Sequence, residues 1–144
     1  MKRHNNEGSK MNILTNKTFI CHYTPLTNRK SYLQRKLQDI GFTDIIWMTE
    51  KEVQHYDHQE VYDGSERAFA KRTSLMTKDR GRTTLTQLES KLIEINLQHI
   101  EIYKRIQEQD LDFGIVFEDD VVFFKNFSMK FQQYFEEKIS CQYH

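Results

Sequence analysis

Apolar residues along this chain gather in three short runs, and the stretches between them carry helical spacing. Lys17 to Tyr23 contains the run TFICHY, rich in strand-forming types, and predicts a first strand. Pro25 marks a turn after it, and Thr27 or Asn28 is placed to cap a helix. Leu33, Leu37 and Ile40 then recur at helical spacing until Gly41 stops the helix. Asp44 to Thr49 (DIIWMT) predicts a second, buried strand. Strand, helix, strand implies a parallel pair joined by a right-handed crossover.

From Glu50 to Thr84 no period is sustained, and Gly64 and Gly81 punctuate a charged stretch that reads as a long loop. Thr86-Gln87-Leu88-Glu89 matches a capping box, in which hydroxyl and carboxylate satisfy the free amides of a helix start. Leu88, Leu92, Ile95, His99, Ile102 and Ile106 then form one stripe expected to face a core. Glu101, Lys104, Arg105 and Glu108 suit the wet side, and the helix should end near Gln109. Phe113 to Phe117 (FGIVF) predicts a third strand, and the apolar run resumes over Val121 to Phe124. Asn126 or Ser128 is placed to cap a last helix carrying Phe131, Phe135 and Ile139. The order predicts an α/β fold in one unit over residues 17–144, with residues 1–16 a frayed or disordered amino terminus.

Composition narrows the class. A chain of 144 residues that is 38% hydrophobic, with ten Phe and seven Tyr, has enough apolar surface for one globular core. Twenty-one basic residues balance twenty-one acidic ones, so no global field draws the protein onto nucleic acid. Locally the charge alternates, being basic before Leu37, acidic over Glu50 to Glu66 and basic again to Arg82. Cys21 and Cys141 lack the spacing of a zinc knuckle or the density of a disulfide scaffold and read as reduced thiols. No apolar stretch is long enough for a signal peptide or a membrane span, which leads to the expectation of a soluble, cytoplasmic protein and leaves peripheral membrane contact open.

Chemistry concentrates where the third strand ends. Glu118, Asp119 and Asp120 break an otherwise apolar stretch, and three adjacent carboxylates beside Phe117 and Val121 are costly to bury without a cation or strong donors. Ligands of open α/β sheets collect at the carboxyl ends of strands, and hard divalent ions prefer oxygen, so a metal holding a diphosphate fits the position. The plainer alternative is a turn whose acids cap a helix, and the triplet alone divides the two about evenly. His99 lies on the apolar stripe and reads as a hydrogen-bonded structural histidine. His55 and His58 flank Asp57 at a spacing zinc tolerates, but no further clustered ligand completes a site, and Arg67, Lys71 and Arg72 read as solvated cations rather than a phosphate clamp.

Phe117-Glu118-Asp119-Asp120-Val121 resembles the acidic element of glycosyltransferase family 25, which includes lipopolysaccharide-biosynthesis glycosyltransferases and collagen galactosyltransferases. The likeness extends to the opening strand, to TPLTNRK with Arg29 at the head of the first helix, to the long helix with His99, and to Phe127 after the acids. Where the family usually shows Ser-His, this chain has Gln98-His99. The resemblance implies a GT-A-like, Rossmann-type sheet with flanking helices, of which this stretch is the amino-terminal portion. It implies a DxD-like acidic motif binding a divalent metal, manganese or else magnesium. Asp120, with Glu118, would ligate the metal. Arg29, Glu118 and Asp119 would contact the nucleotide-sugar donor, and a glycan, lipopolysaccharide or protein would accept the sugar. Two further readings stand beside this one: a truncated, non-catalytic module that binds nucleotide sugars or a partner, and a phosphoacceptor domain of the receiver type. The last fits poorly, because its acid pair follows the first strand and here Cys21-His22-Tyr23 stands there.

Overall fold

The computed structural model of the chain describes residues 12–61 and 87–142. Three four-residue strands, β1 (Thr18–Cys21), β2 (Ile45–Met48) and β3 (Ile115–Glu118), form a parallel sheet in the order β2-β1-β3. Cys21 stands opposite Met48 on one side and Glu118 on the other. Helix α1 (Thr27–Ile40) joins β1 to β2, and α2 (Gln87–Glu108) precedes β3, which α3 (Phe127–Gln142) follows. The α/β, Rossmann-type expectation and the parallel first pair both hold.

The pleat of β1 explains why the sheet is covered on both faces. Phe19 and Cys21 point to one side, where they pack with Met48 and Ile102, and Ile46, Ile106 and Val116 close around them. Ile20 points to the other, into a cluster of Leu33 and Leu37 of α1 with Ile13, Leu14, Phe42 and Ile115. Phe117, Phe123, Phe127 and Phe131 extend that second layer, Phe127 stacking on Phe131 with ring centroids 5.1 Å apart. Thus α1 and α2 lie on opposite faces of the sheet, and β1 sits between neighbours whose connections leave in opposite directions.

Several local expectations change. Residues 12–16 are not frayed. They form a 3-10 turn over Ile13–Thr15 whose Asn12 side chain accepts from the Leu14 amide at 3.1 Å, and Ile13 and Leu14 are buried under Phe42. The apolar pair supplies the reason, since only burial keeps both side chains from water. Neither Thr27 nor Asn28 caps α1; the cap position is Leu26, without a side-chain hydrogen bond, while Gly41 ends the helix at φ 111° as expected. The start of the long loop carries an ordered 3-10 turn, Glu50–Glu52, closed by a capping box between Thr49 and Glu52. The capping box proposed at Thr86 and Glu89 and the cations Arg67, Lys71 and Arg72 lie outside the described residues, as do the side chains of Ile139 and Cys141.

The stripe on α2 is also not a single core face. Ile102 and Ile106 are packed on the sheet, but Leu92 is exposed, and the buried positions beside them are Leu97 and Gln98. Lengths explain the split. Twenty-two helical residues span roughly 33 Å, while a four-residue strand spans about 13 Å. The carboxyl-terminal half of α2 covers the sheet, and the amino-terminal half projects beyond the strand ends. Likewise Val121 to Phe124 leave the sheet, with Val122 at 89% exposure.

Gly114 lies close against Ile106 of α2 and Phe19 of β1. A methyl group there would lie 2.6 Å from Ile106 Cδ1 and 3.2 Å from the Phe19 ring. Gly114→Ala is therefore expected to lower the free energy of unfolding by about 1–3 kcal/mol, as overpacking does. Denaturant titration measures this, and an unchanged midpoint would contradict the packing described.

Candidate functional site

The reversal of connection direction between β1 and β3 opens a crevice at their carboxyl ends, the place where ligands enter sheets of this kind. A cleft of about 240 Å³ occupies it. Its floor is Cys21, His22 and Tyr23 after β1 together with Glu118, Asp119 and Asp120 at the end of β3. Leu26 and Arg29 at the head of α1 form one wall. Lys91, Glu94, Ile95 and Gln98 form the other, from the half of α2 that overhangs the sheet.

Asp119 is the organising group. Its Oδ2 meets His22 Nδ1 at 2.7 Å and accepts from the Tyr23 amide at 3.4 Å, and its Oδ1 accepts from Arg29 at 2.8 Å. The carboxylate side chain is only 10% exposed. Burial alone would raise its pKa, but the hydrogen bonds from Arg29, His22 and the Tyr23 amide outweigh that and hold the carboxyl below the usual aspartate range. His22 is itself buried, its ring edge-on to Trp47 at 5.3 Å, and its carbonyl accepts from Gln98 Nε2 at 3.5 Å.

The outer acids are less committed. Glu118 is 54% exposed, with His99 Nε2 3.6 Å from Oε1. Asp120 makes no hydrogen bond or ion pair among the described residues. Both oxygen donors line the cleft. The Cys21 thiol is pushed up to about 12, first by burial and then by the negative charge of Glu118 and Asp119, so it is a neutral group in the floor. Nearby, Glu50 accepts from the Thr24 amide at 3.0 Å; burial opposes its ionisation, yet the bonds from Thr24 prevail and keep its pKa low.

Arg29, Glu118, Asp119 and Asp120 are thus brought together from α1 and β3 as the sequence suggested, but Asp119 is occupied by the protein's own donors. His99 belongs to the same neighbourhood, through Glu118. His58 is not among the residues lining the cleft; its Nδ1 is 3.3 Å from Ser90 Oγ, and His55 packs on Tyr56. No group of three or more His, Cys, Asp or Glu able to enclose a metal ion occurs among the described residues. An ion here would instead rest on Glu118 and Asp120 and complete its shell with water and ligand oxygens, a habit of hard divalent cations. His22, Tyr23, Lys91, Glu94 and Gln98 were missed by sequence reasoning. His22 and Tyr23 had a usable signal, because they directly follow the central strand.

The model of the family described as Glycosyltransferase family 25 (LPS biosynthesis protein) matches residues 15–143. The comparisons with curated proteins and with solved structures gave no match. No described helix is long and apolar enough to cross a membrane.

A carboxylate whose pKa is lowered on folding adds stability above its unfolded value, near 4, and that stability fades as pH falls through the folded value. Asp119, Glu50 and Glu52 all carry lowered values, the last through Thr49 despite burial. Stability is therefore expected to decline on acidification below about pH 4, and Asp119→Asn should flatten that decline while lowering stability at neutral pH. Urea midpoints across pH read both, and an identical pH dependence in the variant would contradict the assignment.

Proposed function

Because this chain belongs to glycosyltransferase family 25, we propose that it moves a sugar from a nucleoside-diphosphate donor to a hydroxyl acceptor, with a divalent metal at Glu118 and Asp120. The carrying observation is the division of labour in the acidic triplet. Asp119 is satisfied internally by His22 and Arg29, whereas Glu118 and Asp120 open on the cleft at the sheet's switch point. Two hard carboxylates with open positions around them suit manganese or magnesium shared with phosphate oxygens. When bound, such an ion supplies neutralisation of the charge that develops on the departing diphosphate.

The protein's own groups supply the rest. Arg29 keeps one face toward the cleft while bonded to Asp119, and it stands near a diphosphate seated at the acids. Lys91, held 4.8 Å over the Tyr23 ring, adds a second cation on the opposite wall. Tyr23, Leu26 and Ile95 give that wall and its neighbour apolar surface suited to the body of a nucleotide sugar. A GT-A-type sheet and an acceptor drawn from glycans, lipopolysaccharide or protein agree with this reading. A binding module without turnover is the second reading, favoured by the pairing of the central acid, Asp119, with His22 and Arg29.

Asp120→Ala and Glu118→Ala are each expected to abolish manganese-dependent binding of a uridine diphosphate sugar in calorimetry, with the fold intact by circular dichroism. Undiminished binding in both would remove these residues from the site. Binding with no release of nucleoside diphosphate by the wild-type protein would favour the module.

A further inference from the structure

We propose that Glu94 is the carboxylate that takes the proton from the acceptor hydroxyl as the sugar is transferred, an inference that rests on the transferase reading above. Among the residues lining the cleft, Glu118 and Asp120 are assigned to the metal, and Asp119 is bonded to His22 and Arg29. Glu94 is the remaining carboxylate there. It stands on the α2 wall, on a different element from the acids of the floor.

Its place on α2 is fixed by neighbours on the same helix. Lys91, three residues before it, sits over the Tyr23 ring, and Gln98, four residues after it, reaches the His22 carbonyl. His99 lies 3.6 Å from Glu118, so Glu94 is displaced by five residues, roughly 7.5 Å along the helix axis, from the point where α2 meets the acids. That separation leaves room for a sugar ring between a diphosphate at Glu118 and Asp120 and a carboxylate at Glu94.

The surroundings suit a proton acceptor. Burial and then the nearby charge of Glu50 raise the Glu94 pKa, with His58 and Lys91 opposing, so the carboxylate is more basic than an exposed glutamate. Facing it are Glu50, His58 and, on its own helix, Lys91; Arg29, Glu118, Asp119 and Asp120 stand across the cleft. In the step, the acceptor oxygen bonds to the anomeric carbon while its proton passes to Glu94. The bond from that carbon to the diphosphate oxygen breaks, and the electron pair leaves with the nucleoside diphosphate. A single direct displacement at that carbon, with no covalent intermediate, inverts the anomeric centre.

The test is release of uridine diphosphate from a panel of uridine diphosphate sugars with Mn²⁺, water serving as acceptor, for wild type, Glu94→Gln and Glu94→Ala. Glu94→Gln should lower kcat by about 10²–10⁴-fold and remove the acid limb of the kcat profile. Donor affinity by calorimetry should be unchanged, and formate should partly restore Glu94→Ala. In the metal-free protein the Glu94 carboxyl carbon should titrate above the ordinary glutamate range by ¹³C NMR. The inference is overturned by full kcat in Glu94→Gln, by loss of Mn²⁺ or donor affinity in step with the rate, by an ordinary Glu94 titration, or by a product of retained configuration. A wild-type protein that turns over no donor removes the transferase reading together with this inference, whereas wild-type turnover with an unimpaired variant removes the inference alone.

Discussion

One carboxylate ties together the three elements on which the cleft depends. Asp119 follows β3, and it is bonded to His22 and Tyr23 after β1 and to Arg29 in the first turn of α1. Charge-assisted bonds in a largely buried setting are the stronger kind, and removing one partner strands the others. With the central acid fixed in this way, its two neighbours are held at the mouth of the cleft without being consumed. Arg29 neutralises one charge of the triplet, and the outer two carboxylates line the cleft.

Topology decides why this happens at that point. The connection after β1 runs over one face of the sheet to β2, and the chain returns over the other face to β3. The loops diverge, and the space between them is the crevice. Short strands then matter as much as their order. Because α2 outlasts the sheet it covers, its amino-terminal part runs past the strand ends and lines the cleft with Lys91, Glu94 and Gln98.

The three strands and the parallel arrangement of the first pair were legible in the sequence, because each strand is a compact apolar run and the helix between the first two implies a crossover. Gly41 was legible as a helix stop for the same local reason. What escaped reading depended on distance. Asp119 is 97 residues from His22 and 90 from Arg29, so no spacing rule announces that it is occupied. The stripe through Leu92 and His99 keeps its helical period whether or not a sheet lies beneath it, and periodicity alone cannot reveal the overhang. By contrast, the capping box at Thr49 and Glu52 was plain in the letters and lay unread in an apparently patternless loop, and Ile13 and Leu14 were a short apolar signal lost in a polar leader.

The central claim is that the outer acids of the triplet hold a divalent cation against a diphosphate. Paramagnetic NMR tests it most directly. Substoichiometric Mn²⁺ added with a uridine diphosphate sugar should first broaden the amide signals of residues 118–120 and of His22 and Tyr23, leaving those of residues 12–16 sharp. Uniform broadening, or broadening centred elsewhere, would contradict the account.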